Sequence, residues 1–444
     1  MLDVNAGREY ARCDGMTRRD FVRLGALSAV GLSLPELLAQ EAAGATATQK
    51  PLAKNVVVVY LGGGLTHHDS FDPKPEAPAE IRGKYGVIPS KLAGIKFSDK
   101  MTELAKLTHL YALCRGQVTG SDHHETATQW MLTGNYGLMQ GGDYPSLGAI
   151  CAHELAPLST LPPHVAIPRN ASFTWELGKA AWLGERYESF KAGNVGDGNW
   201  QVPNLSLLPG VAEERLTRRQ SMRQALDNVA KKFEYSDSLT SMDAFQQKAA
   251  QLILSPEARK AFDLKAESDA TQTKYGKDFW GRQLLLARRL VEANTRFVLV
   301  NQGGWDHHAK IYEGCDKALP DLDRSLAAFL SDMSERGLLK DTLVAVFGEF
   351  GRTSKLNKDA GRDHWGNAGC MLFAGAGVRG GQVIGETDER GEYTVSRPIR
   401  PTEVAATIYH ALGIDYEKHI ISPSGRPVAI LPECQPVKEL WSGA

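Results

Sequence analysis

The sequence predicts an α/β fold in which helices cover a central, mostly parallel sheet. Three short apolar runs carry this prediction, and they occupy residues 55–61 (NVVVVYL), 297–301 (FVLVN) and 342–347 (TLVAVF). The first run is β-branched almost throughout, which is typical of a strand covered on both faces. Amphipathic helical segments precede and separate the other two runs, and this alternation of helices and strands is typical of α/β sheets.

Helical spacing of apolar residues predicts the main helices. One helix covers the periodic segment 280–291. A second helix is expected to begin near Pro320 and to end near Gly337, since glycine suits a helix end. A third helix is expected to begin at Pro401, because proline is tolerated in the first turn, and to end at Gly413.

The folded domain is expected over residues 48–444, with a helical insertion at about residues 211–275. The inserted segment is rich in Arg, Gln, Glu, Lys and Ser, and it shows patches of helical periodicity with few strand signals. We expect it to pack beside the sheet or over the site.

Residues 1–47 have the pattern of an export signal. The paired Arg18 and Arg19 precede an apolar run over residues 24–34, and small residues follow around 43–47. Paired arginines are typical of twin-arginine signals, and the apolar run is too short to cross a bilayer. We therefore expect a periplasmic or extracellular protein whose mature chain has no stable membrane span. The alternative is an amphipathic N-terminal helix of the fold.

Charge and cysteine spacing exclude several kinds of partner and site. The chain has 444 residues and a formal net charge of −1, so it lacks the basic excess that binding to nucleic acid requires. Its six cysteines are scattered without a Cys-x-x-Cys pair, which excludes a thiolate zinc site by spacing. One disulfide is conceivable, but the sequence does not indicate its pairing.

Polar, glycine-bearing segments follow the three predicted strands. The first holds HHDSFD over residues 67–72, the second GGWDHH over 303–308, and the third GEFGRT over 348–353 with GRDHW over 361–365. A further cluster, SDHHE over 121–125, opens a predicted helix. Because ligands bind at the carboxyl ends of strands in open α/β sheets, we expect these segments to converge there.

The composition of these segments predicts a metal site. So many acidic and imidazole groups would suffer repulsion and desolvation without a compensating cation. The candidate ligands are Asp69, Asp306, His308 and His364. Mixed carboxylate and imidazole ligands favour a divalent metal, with zinc first and manganese or iron as alternatives.

Several of these candidates have structural alternatives. Asp69 or Asp72 could cap the following turn. His307 instead of His308 could face the site, and His364 could act as an acid or base or be a buried structural residue.

Arginine and histidine near the site are candidates for catalysis. Arg352 could hold an anionic substrate group through two hydrogen bonds, or form a structural salt bridge with Glu349. His123 and His124 could both serve the site, and the alternative for them is a role at the helix N-terminus.

Taken in order, these motifs resemble those of the DUF1501 family. The resemblance rests on GGGLTHHDSFDPKP, SDHHETATQWMLTGN, AAWLGERYESF, GGWDHH, GEFGRT, GRDHWGNAGCMLFAGAGVRGGQVIG and PTEVAATIYHALGID, and with the leader it runs from about residue 17 to 415. The family is placed in the alkaline-phosphatase-like superfamily with sulfatases and phosphoglycerate mutases. The resemblance implies a three-layer α/β sandwich with a metal site at the strand ends.

The resemblance also implies roles for single residues. Asp69 resembles the first metal-binding aspartate of the superfamily, and His364 resembles its final metal histidine. Asp306 and His308 resemble its later Asp…His pair, although their spacing is shorter than usual. His124 stands where the nucleophile is expected, so it could be a nucleophile, a ligand or a proton donor.

The chain departs from the superfamily pattern at two places. Glu349 and Phe350 occupy the place of an Asp-His pair, and because Phe350 cannot bind metal, one of two superfamily metal sites is expected to be altered. Glu349 could be a ligand or a base. The segment 121–134, where the resemblance places the nucleophile, holds no Cys/Ser-x-Pro-x-Arg motif, so a formylglycine nucleophile is not expected.

The sequence therefore predicts a secreted, metal-dependent hydrolase of phosphate or sulfate esters. Its substrate would be a small anionic ester or a sulfated or phosphorylated glycan. The alternative is a binding protein that keeps the scaffold without turnover and acts with secreted partners on polysaccharides. A third hypothesis, an iron-dependent oxidoreductase, is supported by the ligand types alone.

Overall fold

The computed structural model describes residues 50–137, 143–196, 200, 202, 255–422 and 425–442. In this part of the chain the strands are β1 (Asn55–Tyr60), β2 (Val87–Pro89), β3 (Lys96–Ser98), β4 (Tyr111–Cys114), β5 (His164–Ile167), β6 (Phe190–Lys191), β7 (Phe297–Asn301), β8 (Thr342–Phe347), β9 (Gly351–Arg352), β10 (His364–Trp365), β11 (Met371–Ala374), β12 (Gln382–Ile384), β13 (Glu386–Thr387), β14 (Thr394–Ser396), β15 (His419–Ile421) and β16 (Pro427–Ala429). The α-helices are α1 (Ala79–Arg82), α2 (Thr102–Lys106), α3 (His124–Thr133), α4 (Leu147–Glu154), α5 (Pro256–Phe262), α6 (Asp269–Tyr275), α7 (Phe279–Glu292), α8 (Ile311–Glu335), α9 (Pro401–Leu412) and α10 (Glu439–Ser442).

An eight-stranded, mostly parallel sheet organises the fold. Its strand order is β12-β4-β11-β8-β1-β7-β5-β6. The three strands predicted from the sequence form its centre, where β1 pairs in parallel with both β7 and β8. Only β11 runs antiparallel to its neighbours in this sheet, β4 and β8. The carboxyl ends of the three central strands therefore lie at one edge of the sheet, as expected.

Helices pack on both faces of the sheet, which gives the predicted three layers. All six residues of β1 are buried. Val57 and Val59 contribute to the core that includes α7 and α8, whereas Val56, Val58 and Tyr60 contribute to the core that includes α3, α4 and α9. Successive side chains of a strand point to opposite faces, so a run of apolar residues supplies both cores at once.

The predicted start of the long helix is wrong, because α8 begins at Ile311 and contains Pro320. Proline lacks the N–H of a helical hydrogen bond, and such a residue inside a helix normally costs about 3 kcal/mol. Here the turns before Pro320 bury Ile311, Cys315 and Leu319 at four-residue spacing. This burial of apolar surface against the core offsets the loss at Pro320.

Other expectations for the chain have mixed outcomes. Helix α9 begins at Pro401 and is followed by Gly413 at a φ of 72°, as predicted. The export signal over residues 1–47 lies outside the described residues, as does most of the insertion, whose described part contains α5 and α6. The five cysteines in the described part of the chain are free thiols. Among the described helices, none combines the length and the apolarity that a membrane span requires.

Candidate metal centre

Three chain segments bring the candidate ligands to the carboxyl edge of the central strands. Asp306 and His308 follow β7, whereas His124 is the first residue of α3. His364 lies on β10, which pairs antiparallel with β9 so that His364 stands opposite Arg352. This short hairpin returns the chain to the end of β8 and places His364 beside the residues that follow β7.

Asp306 lies at the centre of this group. Its Oδ2 is 3.2 Å from Nε2 of His124. Its Oδ1 is 3.1 Å from Nε2 of His364 and 3.0 Å from Nε2 of His308. The Nε2 atoms of His308 and His364 are 2.8 Å apart. These four side chains form the Asp306 cluster.

The outer nitrogen of each histidine is held by an oxygen acceptor. The three Nδ1 contacts are His124 to Glu349 Oε1 at 2.7 Å, His308 to Asp363 Oδ1 at 2.6 Å, and His364 to the backbone oxygen of Asp122 at 2.7 Å. Carboxylates and carbonyls only accept hydrogen bonds, so each Nδ1 carries a proton. In the neutral imidazoles, the lone pairs of all three Nε2 atoms then point into the cluster.

This donor set fits a divalent cation. Ligand atoms of His124, Asp306 and His364 all lie within 4.8 Å of one another. A tetrahedral zinc site with bonds of about 2 Å has ligand atoms roughly 3.3 Å apart, which is close to the contacts within the cluster. Two facing lone pairs on His308 and His364 repel each other unless a proton or a cation lies between them. The side chains of Asp306 and His308 are 42% and 45% exposed, so the cluster is open to solvent.

The charge balance of the cluster favours an ionised carboxylate and a protonated histidine when no cation is bound. Burial lowers the pKa of His124, but the hydrogen bonds with Asp306 and Glu349 outweigh this effect and raise its pKa to about 9. Burial also acts on Asp306, where it opposes ionisation, yet His124, His364 and Arg352 hold the pKa of this carboxyl far below its usual range. A cation would have to displace the proton of His124.

Arg352 lies beneath the cluster with its side chain fully buried. Its Nη2 donates to Asp306 Oδ1 and to the backbone oxygen of Gly63, and its Nε donates to Gly64 at 3.0 Å. Its Nη1 donates to the backbone oxygen of Arg362 at 2.9 Å. The guanidinium therefore orients Asp306 and has no exposed edge to offer a substrate anion. Its ion pair is with Asp306, and Glu349 has other partners.

Glu349 is fully buried behind His124. Besides His124, its Oε1 accepts a hydrogen bond from the backbone N–H of Gly63 at 2.8 Å, and its Oε2 accepts one from the Tyr60 hydroxyl at 2.9 Å. Tyr60 in turn contacts the hydroxyl of Thr128 at 2.6 Å. This network fixes the ring of His124, so Glu349 acts on the cluster through that histidine.

Comparison with known proteins identifies the family. The profile described as "Protein of unknown function (DUF1501)" matches residues 53–441. This chain belongs to the DUF1501 family. No curated protein matches the chain.

Several solved structures are similar to this DUF1501 protein at low sequence identity. The phosphonate monoester hydrolase SpPMH from Silicibacter pomeroyi is 11% identical, with 88% of this chain and 76% of that chain covered and a TM-score of 0.39. The PsFucS1 sulfatase from Pseudoalteromonas sp. is 11% identical, with 83% and 68% covered and a TM-score of 0.37. A TAB5 alkaline phosphatase variant with Mg bound in its M3 site is 14% identical, with 83% and 100% covered and a TM-score of 0.36.

Asp69, predicted as a ligand, has another partner in this DUF1501 protein. It is fully buried, and its Oδ2 lies 2.9 Å from Nε of the equally buried Arg362. The same oxygen accepts a hydrogen bond from the Thr66 hydroxyl at 2.7 Å. The other carboxylate oxygen, Oδ1, is buried without a hydrogen-bond partner among the described residues. The geometry therefore joins Asp69 to Arg362 and leaves it out of the Asp306 cluster.

The other acidic and imidazole candidates also lie away from the cluster. Asp72 is buried between Arg115 and Lys74, each 3.1 Å from its Oδ1. His307 packs against α8, where a Cβ on Gly314 would lie 2.1 Å from its Nε2. Burial lowers the pKa of His307. His123 is exposed at the start of α3. Of the pairs His307/His308 and His123/His124, the structure thus brings His308 and His124 to Asp306.

Four residues contact the histidines of the cluster in ways that were not predicted from the sequence. Phe173 stacks on His124 with ring centroids 4.4 Å apart, and Phe350 lies 4.8 Å from the ring of His364. Asp363 and Asp122 hold the outer nitrogens of two histidines. Each of the two aspartates lies within two residues of a candidate histidine, and this proximity was the available signal. Phe173 belongs to a loop whose position no local pattern indicates.

Proposed function

We propose that this protein is an exported, divalent-metal-dependent hydrolase of phosphate or sulfate esters that uses water as its nucleophile. One observation carries the proposal: three imidazole Nε2 atoms converge on the Asp306 carboxylate, while acceptors outside the cluster hold their Nδ1 protons. Fixed outer partners of this kind are typical of histidine ligands in metal sites. The openness of the cluster to solvent suits a site that admits a substrate.

Asp306, His124 and His364 would hold the cation, with His308 as a fourth ligand. A bound divalent cation supplies Lewis-acid polarisation of an ester and a water acidified towards neutral pH. Zinc suits three imidazoles and one carboxylate best, and manganese or iron are alternatives. Asp69, with its charge balanced by Arg362, is proposed as a structural residue.

The chain's own groups orient the ligands. Arg352 holds Oδ1 of Asp306, and Glu349 holds Nδ1 of His124, so both ligands are preorganised before substrate arrives. Phe173 and Phe350 pack against the ring of His124, whose side chain is 13% exposed. When no cation is bound, His124 is protonated, and its Nε2 lies 3.2 Å from Oδ2 of the Asp306 carboxylate, so the two groups form an ion pair.

Substrate class and localisation complete the proposal. The substrate is a small anionic ester or a sulfated or phosphorylated glycan, because a cationic centre attracts anionic groups. The leader predicted over residues 1–47 supports export by the twin-arginine route to the periplasm or beyond.

A screen of the mature protein on 4-nitrophenyl phosphate and 4-nitrophenyl sulfate tests this function. The protein is assayed after chelation and after addition of zinc, manganese or magnesium, beside the variant His364→Ala. We expect hydrolysis that requires metal and falls by at least about 100-fold in the variant, since a residue that binds the metal directly is lost. A metal-saturated protein that hydrolyses neither ester would contradict the proposal.

A metal-binding protein without turnover is the second candidate. The groups that contact the Asp306 cluster favour this candidate. Among the described residues they are carboxylates, a backbone carbonyl, an arginine and the cluster's own histidines. No hydroxyl is among these partners in the described part of the chain, so no side-chain oxygen nucleophile contacts the cluster there. Metal bound at the cluster without turnover on any ester would support this candidate.

A further inference from the structure

A cavity of about 310 Å³ lies beside the Asp306 cluster. Its walls come from the loop 353–357, from Asp363 and Trp365 on either side of His364, and from Glu392. This volume is at the lower end of the roughly 300–1,000 Å³ that small-molecule sites occupy, so the cavity suits one ring-sized group.

The cavity and the Asp306 cluster share a wall. Asp363 lines the cavity and also holds Nδ1 of His308 at 2.6 Å. Trp365, another lining residue, directly follows His364 in β10. The cavity therefore adjoins the cluster through Asp363 and His308.

Trp365 supplies a fixed aromatic surface. Its Nε1–H donates to the backbone oxygen of Glu392, and its backbone pairs with Gly351 in the β9–β10 hairpin. The ring of Tyr393 meets it edge-on, with centroids 5.5 Å apart and an interplanar angle of 72°. A ring held in this way loses little conformational freedom on binding, and the C–H face of a pyranose can pack on an aromatic face.

Lys355 gives the cavity a positive charge. It is exposed, and among the described residues it has no carboxylate within salt-bridge distance. The acidic lining residues already have partners: Asp363 is held by His308 and by Asn357, and Glu392 by Arg390 at 3.3 Å. Lys355 is therefore the lining group that is free to pair with an anionic group of a ligand, whereas the carboxylates of Asp363 and Glu392 can accept hydrogen bonds from hydroxyl groups.

We propose that this cavity is a subsite for one acidic sugar ring of a glycan. The ring packs on Trp365, its carboxylate or sulfate pairs with Lys355, and hydroxyl groups contact Asp363 and Glu392. This assignment names the substrate class of the adjoining centre and rests on the proposed function. The sugar contacts themselves need no cation, so they are testable separately.

Binding is measured in the His364→Ala background, which has an impaired metal centre but keeps the cavity. The probes are glucuronic acid and glucose 6-sulfate, with glucose and 4-nitrophenyl sulfate as controls, followed by calorimetry and by saturation-transfer NMR. We expect saturable binding of an acidic sugar that is at least about tenfold tighter than that of glucose, because Lys355 adds a charge contact.

Variants of two neighbouring lysines and of the tryptophan separate the contacts. Lys355→Glu should weaken binding of the acidic sugar at least about tenfold. Lys358→Glu is the matched control, since Lys358 is 88% exposed, pairs with Asp359 and does not line the cavity, and it should leave affinity within about twofold. Trp365→Ala should weaken binding at least about tenfold, and Trp365→Phe should restore part of it.

The possible outcomes distinguish this subsite from the proposed function. Absence of saturable sugar binding, equal effects of Lys355→Glu and Lys358→Glu, or equally tight binding of a phosphoserine peptide would overturn the subsite. Ester hydrolysis by a protein that fails these tests would leave the proposed function intact. Sugar binding that passes them, with no hydrolysis of any ester, would retain the subsite and reject the hydrolase.

Discussion

His124 Nδ1 lies 2.7 Å from Oε1 of Glu349, a carboxylate that is completely buried behind the Asp306 cluster. A charged acceptor at this position fixes the tautomer of His124 and turns its Nε2 towards Asp306. The same carboxylate is held by Tyr60 and by the backbone of Gly63. A buried acid therefore sets the geometry of an exposed cluster.

The variant Glu349→Gln should weaken metal binding while the ligands themselves remain. A neutral amide holds Nδ1 of His124 less strongly, and loss of such an outer partner typically lowers metal affinity by about 10–100-fold. Affinity is measured by competition with a chromophoric chelator. Glu335→Gln, which changes an exposed partner of Lys274, is the control. Equal affinity in Glu349→Gln and the control would show that Glu349 does not orient the site.

Asp69 should matter for stability and not for metal content. In the variant Asp69→Ala, Arg362 becomes a buried charge without its carboxylate, which typically costs about 3–5 kcal/mol of unfolding free energy. The double variant Asp69→Leu with Arg362→Met should recover much of this loss, because no buried charge remains. Urea unfolding measures the stability of these variants, and metal analysis of the folded fraction shows whether Asp69→Ala keeps its metal. A variant that unfolds like the wild type but has lost its metal would make Asp69 a ligand after all.

His164 should make the protein less stable in acid. Burial lowers the pKa of this histidine to about 4, below its ordinary value of 6.5. The unfolded chain therefore takes up the proton more readily, so stability is complete above pH 6.5 and declines as the pH falls towards 4. The shift corresponds to at most about 3 kcal/mol.

Urea unfolding between pH 4.5 and 7.5 measures this effect by comparison with His164→Leu. Other buried histidines, such as His67 and His68, also have lowered pKa values, so the wild type and the variant both lose stability in acid. The variant should nevertheless show a smaller slope, because one titrating group is gone. Parallel pH profiles for the two proteins would refute the role of His164.

The central strands and the convergence of the site could be predicted from local patterns. A run such as residues 55–60 must be buried on both faces, and glycine-bearing polar segments at the ends of parallel strands meet at one edge. The proximity of Asp306, His308 and His364 could be predicted in this way, and that of His124 from the polar cluster that opens α3. The choice between neighbouring histidines depends on the direction in which each side chain points. Outside regular helices and strands, a single sequence has no periodicity that predicts this direction.

Other features depend on contacts between distant residues. Asp69 and Arg362 are 293 positions apart, so no sequence spacing predicts their ion pair. Without knowledge of that partner, an aspartate that follows a strand resembles a metal ligand. The start of α8 was misplaced because Pro320 is a strong local signal, whereas the burial of Ile311 and Leu319 is a property of the folded core. The stacking of Phe173 on His124 likewise requires the tertiary structure.

Metal analysis of the mature protein purified from its native host tests the central claim most directly. The wild type should contain about one divalent cation per chain, and Asp306→Ala should contain almost none after the same purification. Binding through imidazole nitrogens should also appear in the X-ray absorption of the bound metal. A wild-type protein that stays metal-free in the presence of excess zinc, or an Asp306→Ala variant that retains the full complement, would contradict the account.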